Sequence, residues 1–133
     1  MNLTKLKAGD TAYIESEMAR ITDICREFSV VSKVIFENCY LTEDEKKTLC
    51  HIATKVKPDF IKTSTGFGTG GATFEDVALM KRETEGSGVK IKAAGGIRTL
   101  KTALEMINLG VSRIGSTSSV AIMEEYMAHS PLL

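Results

Sequence analysis

The hydrophobic positions of the chain follow two alternating periods, one typical of helices and one typical of strands. Apolar residues recur at helical spacing over 14–28, after a polar cap at Asp10 or Thr11, and this pattern predicts an amphipathic helix. The β-branched and aromatic stretch 32–37 then predicts a strand. The capping-box pattern Thr-Glu-Asp-Glu at 42–45 predicts a second helix, so helix, strand and helix follow one another.

The same alternation continues over the rest of the chain. Three further strands are predicted at 59–63, 89–93 and 112–115. Helices are expected to start at Thr73 and Thr99, a last helix to end near Met127, and the tail 129–133 to be irregular because it contains proline. One leading helix followed by four strand–helix units predicts a parallel sheet with helices on its outside.

Each predicted strand alternates apolar with charged side chains. The apolar residues share one face: Val34, Phe36, Ile61, Val89, Ile91 and Ile114. The charged residues share the other face: Lys33, Glu37, Lys62, Lys90, Lys92 and Arg113. An open doubly wound sheet is buried on both faces and does not tolerate so many charges, whereas the inner face of a barrel meets solvent and substrate at its ends. The predicted fold is therefore α/β, half of a (βα)8 TIM barrel.

Half a barrel has two open sheet edges, and open edges are templates for pairing with another chain. Two-fold symmetry is the commonest symmetry of oligomers. We therefore expect the half-barrel to be completed by dimerisation, with two copies forming a homodimer through their open sheet edges.

Composition excludes several classes of partner. The chain has 133 residues, the size of one domain, and its 17 Lys and Arg balance its 17 Asp and Glu, so no net charge favours nucleic acid or an anionic membrane. No apolar run reaches the roughly 20 residues of a membrane span and the N-terminus lacks a signal-peptide pattern, so a cytoplasmic location is expected. The thiols Cys25, Cys39 and Cys50 have no metal-site spacing and are expected to be reduced packing residues.

The candidate chemistry lies at the C-terminal strand ends, where barrels of this kind place their active sites. Lys62 and Lys92 end neighbouring strands. Two adjacent amines are harder to protonate at the same time than one alone. The positive charge of Lys92 would therefore lower the pKa of Lys62 and leave it with a free amine able to attack a carbonyl. The alternative is that both lysines pair with Glu37 or line the barrel as structural charges. Their sequence contexts favour the chemical role.

The last two strands are followed by small and hydroxyl residues that precede helix N-termini. These residues are Gly95, Gly96, Ser116, Thr117 and Ser118. Glycines let the backbone approach an anion closely, and free N–H groups at a helix N-terminus attract phosphate. A phosphorylated ligand is therefore predicted, such as a phosphorylated sugar, or a small aldehyde at the lysines. No metal site is predicted.

Two lysine motifs resemble those of deoxyribose-phosphate aldolase: Phe-Ile-Lys-Thr-Ser-Thr-Gly-Phe around Lys62 and Lys-Ile-Lys-Ala-Ala-Gly-Gly-Ile-Arg-Thr around Lys92. The resemblance runs from about Leu3 to Met123. It implies that Lys62 forms a Schiff base and that Lys92 tunes it. It also implies phosphate binding by Gly95, Gly96, Thr117 and Ser118, with Ser116 close by. The implied reaction is reversible cleavage of 2-deoxy-D-ribose 5-phosphate to glyceraldehyde 3-phosphate and acetaldehyde, without a metal or organic cofactor.

The resemblance covers only the C-terminal half of that family. Residues 3–7 resemble the segment after the family's fourth strand, so 1–133 is expected to be a single half-barrel domain corresponding to strands five to eight. The family's proton-relay aspartate would lie in the other half, and Glu37 could substitute for it. Three interpretations remain open: a dimeric aldolase, a catalytically inactive truncated homologue or phosphate-binding half-barrel, and a fragment that needs a separate N-terminal half.

Overall fold

Four short parallel strands form the sheet in the computed structural model, which describes residues 1–129. The strands are β1 (Lys33–Ile35), β2 (Phe60–Lys62), β3 (Lys90–Ala94) and β4 (Arg113–Gly115). The helices are α1 (Leu3–Lys7), α2 (Thr11–Glu27), α3 (Glu43–Val56), α4 (Phe74–Glu83), α5 (Leu100–Asn108) and α6 (Ser119–His129). The strands lie in the order of the chain, each parallel to the next, so the predicted repeat of strand–helix units is confirmed.

The register of the strands separates the two faces of the sheet as the alternation predicts. Val34 pairs with Ile61, Ile61 with Ile91, and Ala93 with Ile114. These side chains contribute to the hydrophobic core that lies between the sheet and the helices. The opposite face is the inner face of the half-barrel and carries the charged residues.

Polar caps begin four of the helices at the residues that the sequence predicts. The side chains of Asp10, Thr42, Thr73 and Thr99 each accept a hydrogen bond from a backbone N–H three residues later. Thr42 and Glu45 form a complete capping box, because the side chain of Glu45 also accepts a hydrogen bond from the Thr42 backbone N–H. A cap of this kind contributes about 1 kcal/mol to helix stability.

The structure differs from the sequence-based expectation at several positions. Helix α1 and a 3-10 turn over Asn38–Tyr40 were not predicted. Ile21 of α2 and Phe28, the residue after α2, were assigned to the buried face of this helix but are exposed, whereas Thr22 is buried. Helix α6 includes His129, which was expected to be irregular, and the rest of that predicted tail lies outside the described residues.

Helices flank the half-barrel at both ends. Helix α2 precedes β1 and packs beside α3, and α6 follows β4 and packs beside α5. Both end helices keep apolar side chains exposed: Ile21 and Ile24 on α2, and Val120, Met123, Tyr126 and Met127 on α6. Phe28, which follows α2, is exposed as well. Within residues 1–129, no helix combines the length and the apolar character that crossing a membrane requires.

Candidate active site

A row of three cations crosses the inner face near the C-terminal ends of the strands. Lys62 of β2 pairs in register with Lys92 of β3, and Lys92 pairs with Arg113 of β4. Neighbouring strands lie about 4.8 Å apart, so register partners project side by side. The structure therefore brings the two predicted lysines together, with Ile35 of β1 as the other register partner of Lys62.

The surroundings of Lys92 lower the pKa of its side chain. Burial lowers the pKa of its ammonium group below the ordinary value, and the positive charges of Lys33, Lys62 and Arg113 lower that pKa further. Desolvation and like charges both destabilise the protonated form of an amine. Lys92 consequently loses its proton at a lower pH than an isolated lysine does.

An aromatic ring lies among three cations of the inner face: Lys33, Lys90 and Arg113. Phe60 is buried on the inner face and pairs in register with Lys33 on one side and Lys90 on the other. The centroid of its ring lies 4.7 Å from the Arg113 guanidinium and 5.8 Å from each of the two ammonium groups. Cations at this range are attracted to the ring by its quadrupole. Phe60 therefore partly compensates the concentration of positive charge.

Glu37 lies just after β1 and is buried, but its carboxylate is not paired with the lysines. It accepts hydrogen bonds from the backbone N–H of Thr65, at 3.0 Å, and from the Thr65 hydroxyl. Among residues 1–129, neither Lys62 nor Lys92 forms a salt bridge with it. The alternative in which the two lysines are neutralised by Glu37 is therefore not what the structure shows.

The backbone of Glu37 is also unusual. Its φ of 58° places it in the left-handed region, which non-glycine residues rarely adopt. This conformation turns the chain from β1 into the 3-10 turn that follows. The carboxylate thereby reaches the loop 63–73 after β2.

Thr63, the residue after Lys62, binds β2 to β3. It is fully buried, its backbone N–H donates to the Lys92 carbonyl at 3.2 Å, and its hydroxyl donates to the Ala94 carbonyl and accepts from the Ala94 N–H, each at 3.1 Å. These bonds keep the ends of the two lysine-bearing strands in a fixed relation. Sequence reasoning did not assign this role, because a threonine in a hydroxyl-rich loop is a weak signal.

The predicted phosphate-binding glycines lie in a tightly packed loop. Gly95 and Gly96 have φ values of 89° and 78°, which favour glycine strongly. A Cβ atom on Gly95 would lie 2.8 Å from Cα of Gly71, so the loops after β2 and β3 touch backbone to backbone. The N–H of Ala72 donates to the carbonyls of Ala94 and Gly95.

The hydroxyl residues after β4 differ in their availability. Ser116 is engaged, since its hydroxyl donates to the Ile97 carbonyl at 2.5 Å and accepts from the Ser118 N–H at 2.9 Å. Thr117 is exposed and Ser118 is half-buried immediately before α6. Ser116 therefore joins the loop after β3 to the loop after β4. Over residues 1–129, no group of His, Cys, Asp and Glu has the arrangement of a metal site.

Comparisons with known proteins identify the family that this arrangement resembles. The curated deoxyribose-phosphate aldolase of Lactobacillus acidophilus is 55% identical over 124 residues, which are 93% of this chain and 52% of the relative. The solved structure of QR15, an aldolase, matches with a TM-score of 0.86 at 43% identity, over 96% of this chain and 56% of that one. The chain corresponds to the C-terminal half of deoxyribose-phosphate aldolase.

Another solved structure shows the same similarity. The deoxyribose phosphate aldolase from Aeropyrum pernix, whose structure is described as a unique tetramer, matches with a TM-score of 0.80 at 26% identity, over 90% of this chain and 51% of that one. No protein-family model matches the chain. The chain thus spans about half the length of the aldolases it matches, and the predicted half-barrel is confirmed.

Proposed function

We propose that this half-barrel carries the amine of a Schiff-base aldolase, with Lys62 as the nucleophile and Lys92 as the residue that tunes it. The observation that supports this proposal is the direct register of the two lysines on neighbouring strands. The similarity to deoxyribose-phosphate aldolases supports the substrate class, a phosphorylated deoxy sugar and its aldehyde products.

The proposed chemistry starts at the side-chain nitrogen of Lys62. The neutral amine attacks the aldehyde carbon, and loss of water leaves a protonated imine. A base removes the proton of the substrate hydroxyl, the carbon–carbon bond breaks, and its electron pair moves into the imine to give an enamine. The hydroxyl-bearing carbon becomes an aldehyde, and this fragment leaves as glyceraldehyde 3-phosphate. Protonation of the enamine and addition of water then release acetaldehyde and restore the amine. Lys92 contributes because its lowered pKa makes it able to exchange protons nearer neutral pH.

The other candidate residues have proposed roles of binding and proton transfer. Gly95, Gly96, Thr117 and Ser118 would bind the phosphate through backbone N–H groups and hydroxyls, and Ser116 would hold their two loops together. Glu37 is the acidic side chain at a strand end and could carry the proton of the substrate hydroxyl. Its bonds to Thr65 support a second role, in holding the loop after β2.

A catalytically inactive phosphate-binding protein is the alternative function. The extent of the similarity favours it, because the chain matches only 52% of the length of the Lactobacillus acidophilus aldolase. In that case the loops after β3 and β4 would bind a sugar phosphate without turnover. Stabilisation by 2-deoxyribose 5-phosphate in the absence of any imine would identify this function.

Imine trapping tests the aldolase proposal directly. The protein is incubated with acetaldehyde and sodium borohydride, and the adduct is located by intact-mass spectrometry and peptide mapping. We expect an adduct on Lys62 that is absent in Lys62→Leu and forms more slowly in Lys92→Leu. The matched control is Lys90→Leu, which removes a lysine from the same inner face and should keep the adduct. A folded protein without an adduct would contradict the proposal.

A working barrel needs four more strands. The prediction from sequence is that residues 1–133 form one half-barrel domain, equivalent to strands five to eight, and that a second copy supplies the rest. Oligomerisation is plausible, since the Aeropyrum pernix structure is described as tetrameric. Size-exclusion chromatography with light scattering distinguishes a two-copy assembly from a monomer.

A further inference from the structure

The side chain of Lys92 leans towards β4 and lies against Gly115. A Cβ atom added to Gly115 would lie 2.9 Å from Cε of Lys92 and 3.4 Å from its Nζ. Gly115 is two residues beyond Arg113, the register partner of Lys92, so it lies on the same inner face and nearer to the C-terminal strand ends. The end of Lys92 therefore occupies the space that a side chain at position 115 would fill.

The neighbouring arginine leaves this space free because its head group points the other way. The Arg113 guanidinium lies 4.7 Å from the ring centroid of Phe60, which is in register with Lys90 and not with Lys92. The side chain of Arg113 therefore crosses β3 towards the N-terminal strand ends. Lys92 leans over β4 towards the C-terminal strand ends, so the two cations diverge.

The backbone of β4 does not itself require a glycine at position 115. Gly115 is a strand residue and, unlike Gly95 and Gly96, it does not have a positive φ. A glycine inside a strand weakens it and often marks a place where another group approaches closely. Here the approaching groups are the end of Lys92 and the Cβ atom of Ala94, which would lie 3.0 Å from an added Cβ. The glycine is therefore explained by its neighbours on β3.

We propose that Gly115 is a positioning residue, whose missing side chain lets the ammonium group of Lys92 lie on β4 at a fixed distance from the Lys62 amine. A methyl group at position 115 would lift the end of Lys92 off the strand. The far end of a lysine is flexible, so this displacement costs the fold little but moves the amine. The consequence for catalysis rests on the proposed function of Lys62 and Lys92, whereas the position of Lys92 does not.

Displacement of Lys92 would also change its protonation. Among residues 1–129, the charged groups that face it from its own strand and the other three are cations: Lys33, Lys62, Lys90 and Arg113. The carboxylate of Glu37 is held by Thr65 instead. Burial is the largest cause of the lowered pKa of Lys92, ahead of these charges. An amine lifted off Gly115 is better hydrated, so its pKa should rise towards the ordinary value.

Nuclear magnetic resonance tests the contact in the unaltered chain. With lysine and glycine labelled with carbon-13, we expect a nuclear Overhauser effect between the Hε protons of Lys92 and the Hα protons of Gly115. This measurement needs no substitution, so it decides the question even if a variant fails to fold. Assigned signals for both residues without this effect would overturn the proposal.

Competitive labelling with acetic anhydride tests the effect of an added methyl group. In Gly115→Ala, the midpoint for labelling of Lys92 should move to higher pH. Lys101, whose side chain is 84% exposed on α5, is the internal reference and should keep its midpoint. Adding Ala94→Gly removes the other contact of the new Cβ atom and should leave the shift at Lys92 in place. An unchanged midpoint for Lys92 in folded Gly115→Ala would contradict the positioning role.

The trapped imine links this position to the proposed reaction. Gly115→Ala should slow formation of the borohydride-trapped adduct on Lys62 by up to about a hundredfold, the cost of misplacing a catalytic group by about 1 Å. In a Lys92→Leu background it should have no further effect, because leucine lacks the Cε and Nζ atoms that the methyl group meets. Further slowing in that background would show that the substitution acts elsewhere and would overturn the proposal. Absence of an adduct in the unaltered chain would contradict the proposed function alone, since the resonance and labelling measurements do not depend on it.

Discussion

Lys92 and Arg113 are direct register partners on the last two strands, and both project from the inner face of the half-barrel. Their proximity contributes to the lowered pKa of Lys92, after burial and together with Lys33 and Lys62. The described residues thus concentrate positive charge at one surface of a chain whose overall charge is balanced. The proposed role of Lys92 depends on this concentration.

The first prediction concerns the protonation of Lys92. Because its pKa lies below the ordinary 10.5, its neutral amine should react with acetic anhydride at a lower pH than an unperturbed lysine. Arg113→Leu removes one of the charges that lower this pKa, so it should move the midpoint of labelling to higher pH. Competitive labelling with peptide mass spectrometry measures both. An unchanged midpoint in Arg113→Leu would show that this charge does not act on Lys92.

The same pKa has a consequence for stability. Between the folded pKa of Lys92 and 10.5, the unfolded chain binds more protons at this site than the folded chain does. The contribution of Lys92 to the free energy of unfolding therefore rises with pH across that window. Lys92→Met should flatten this part of the pH dependence, and urea unfolding at several pH values would measure the change.

Thr63 should be sensitive to the loss of its hydroxyl. Thr63→Val keeps the shape but removes the acceptor of the buried Ala94 N–H, whereas the Ala94 carbonyl keeps the hydrogen bond from the Ala72 N–H. An unsatisfied buried group costs about 1–3 kcal/mol, so the free energy of unfolding should fall by that amount. Thr63→Ser keeps the hydroxyl and is the matched control. Equal urea midpoints for the valine and serine variants would contradict the stabilising role of the Thr63 hydroxyl.

Glu37 should control the order of the loop after β2. In Glu37→Ala, the backbone N–H of Thr65 loses its acceptor, so its hydrogen exchange should accelerate about tenfold, the change expected for a bond of about 1.4 kcal/mol. Glu37→Gln keeps a carbonyl oxygen at this position and should preserve slow exchange. If Glu37 also carries a proton in the aldol reaction, Glu37→Gln should reduce turnover while leaving exchange unchanged. Unchanged turnover would remove the catalytic role.

The two glycines of the loop after β3 offer a matched pair. Both Gly95→Ala and Gly96→Ala force a left-handed conformation on alanine, which costs about 1–2 kcal/mol. A Cβ atom at Gly96 meets no atom within 4 Å, whereas one at Gly95 meets Cα of Gly71 at 2.8 Å. Gly95→Ala should therefore be the more destabilising in thermal unfolding. If Gly96→Ala lowered the melting temperature more than Gly95→Ala, the backbone at Gly71 would have to move away from the added Cβ atom at little cost.

Cys50 should be inert in the folded protein. Burial raises the pKa of its thiol to about 12, and the thiolate is the reactive species. Cys25 and Cys39 are partly exposed, so an aromatic disulfide reagent at pH 8 should label them first. Guanidinium should release the third thiol. Labelling of Cys50 without unfolding would indicate local opening of α3.

Much of the fold could be predicted from local patterns. Thr42, Thr73 and Thr99 cap helices because a hydroxyl before an apolar repeat satisfies free N–H groups, which is a local effect. Lys62 and Lys92 could be placed together because parallel strands end at the same edge of a sheet. Helix α1 has five residues, too few to show a periodic pattern.

The remaining features depend on tertiary contacts. The hydroxyl of Thr63 reaches Ala94, and Glu37 reaches Thr65, through turns whose direction a single sequence does not reveal. Ile21 fits the helical pattern of a buried face, yet it lies at the open end of the half-barrel and is exposed. The expected homodimer rested on open sheet edges and on the frequency of two-fold symmetry, and it stays a prediction.

The contact between Gly71 and Gly95 restricts the relative movement of the loops after β2 and β3. The loop after β2 cannot shift towards the loop after β3, since their backbones already touch, and the bonds of Ala72 prevent the two loops from separating freely. The serine at 116 extends this linkage to the loop after β4. The three loops are therefore linked to one another by backbone contact and hydrogen bonds. We expect that a ligand which displaces one of these loops also shifts the other two, and with them the end of the strand that carries Lys62.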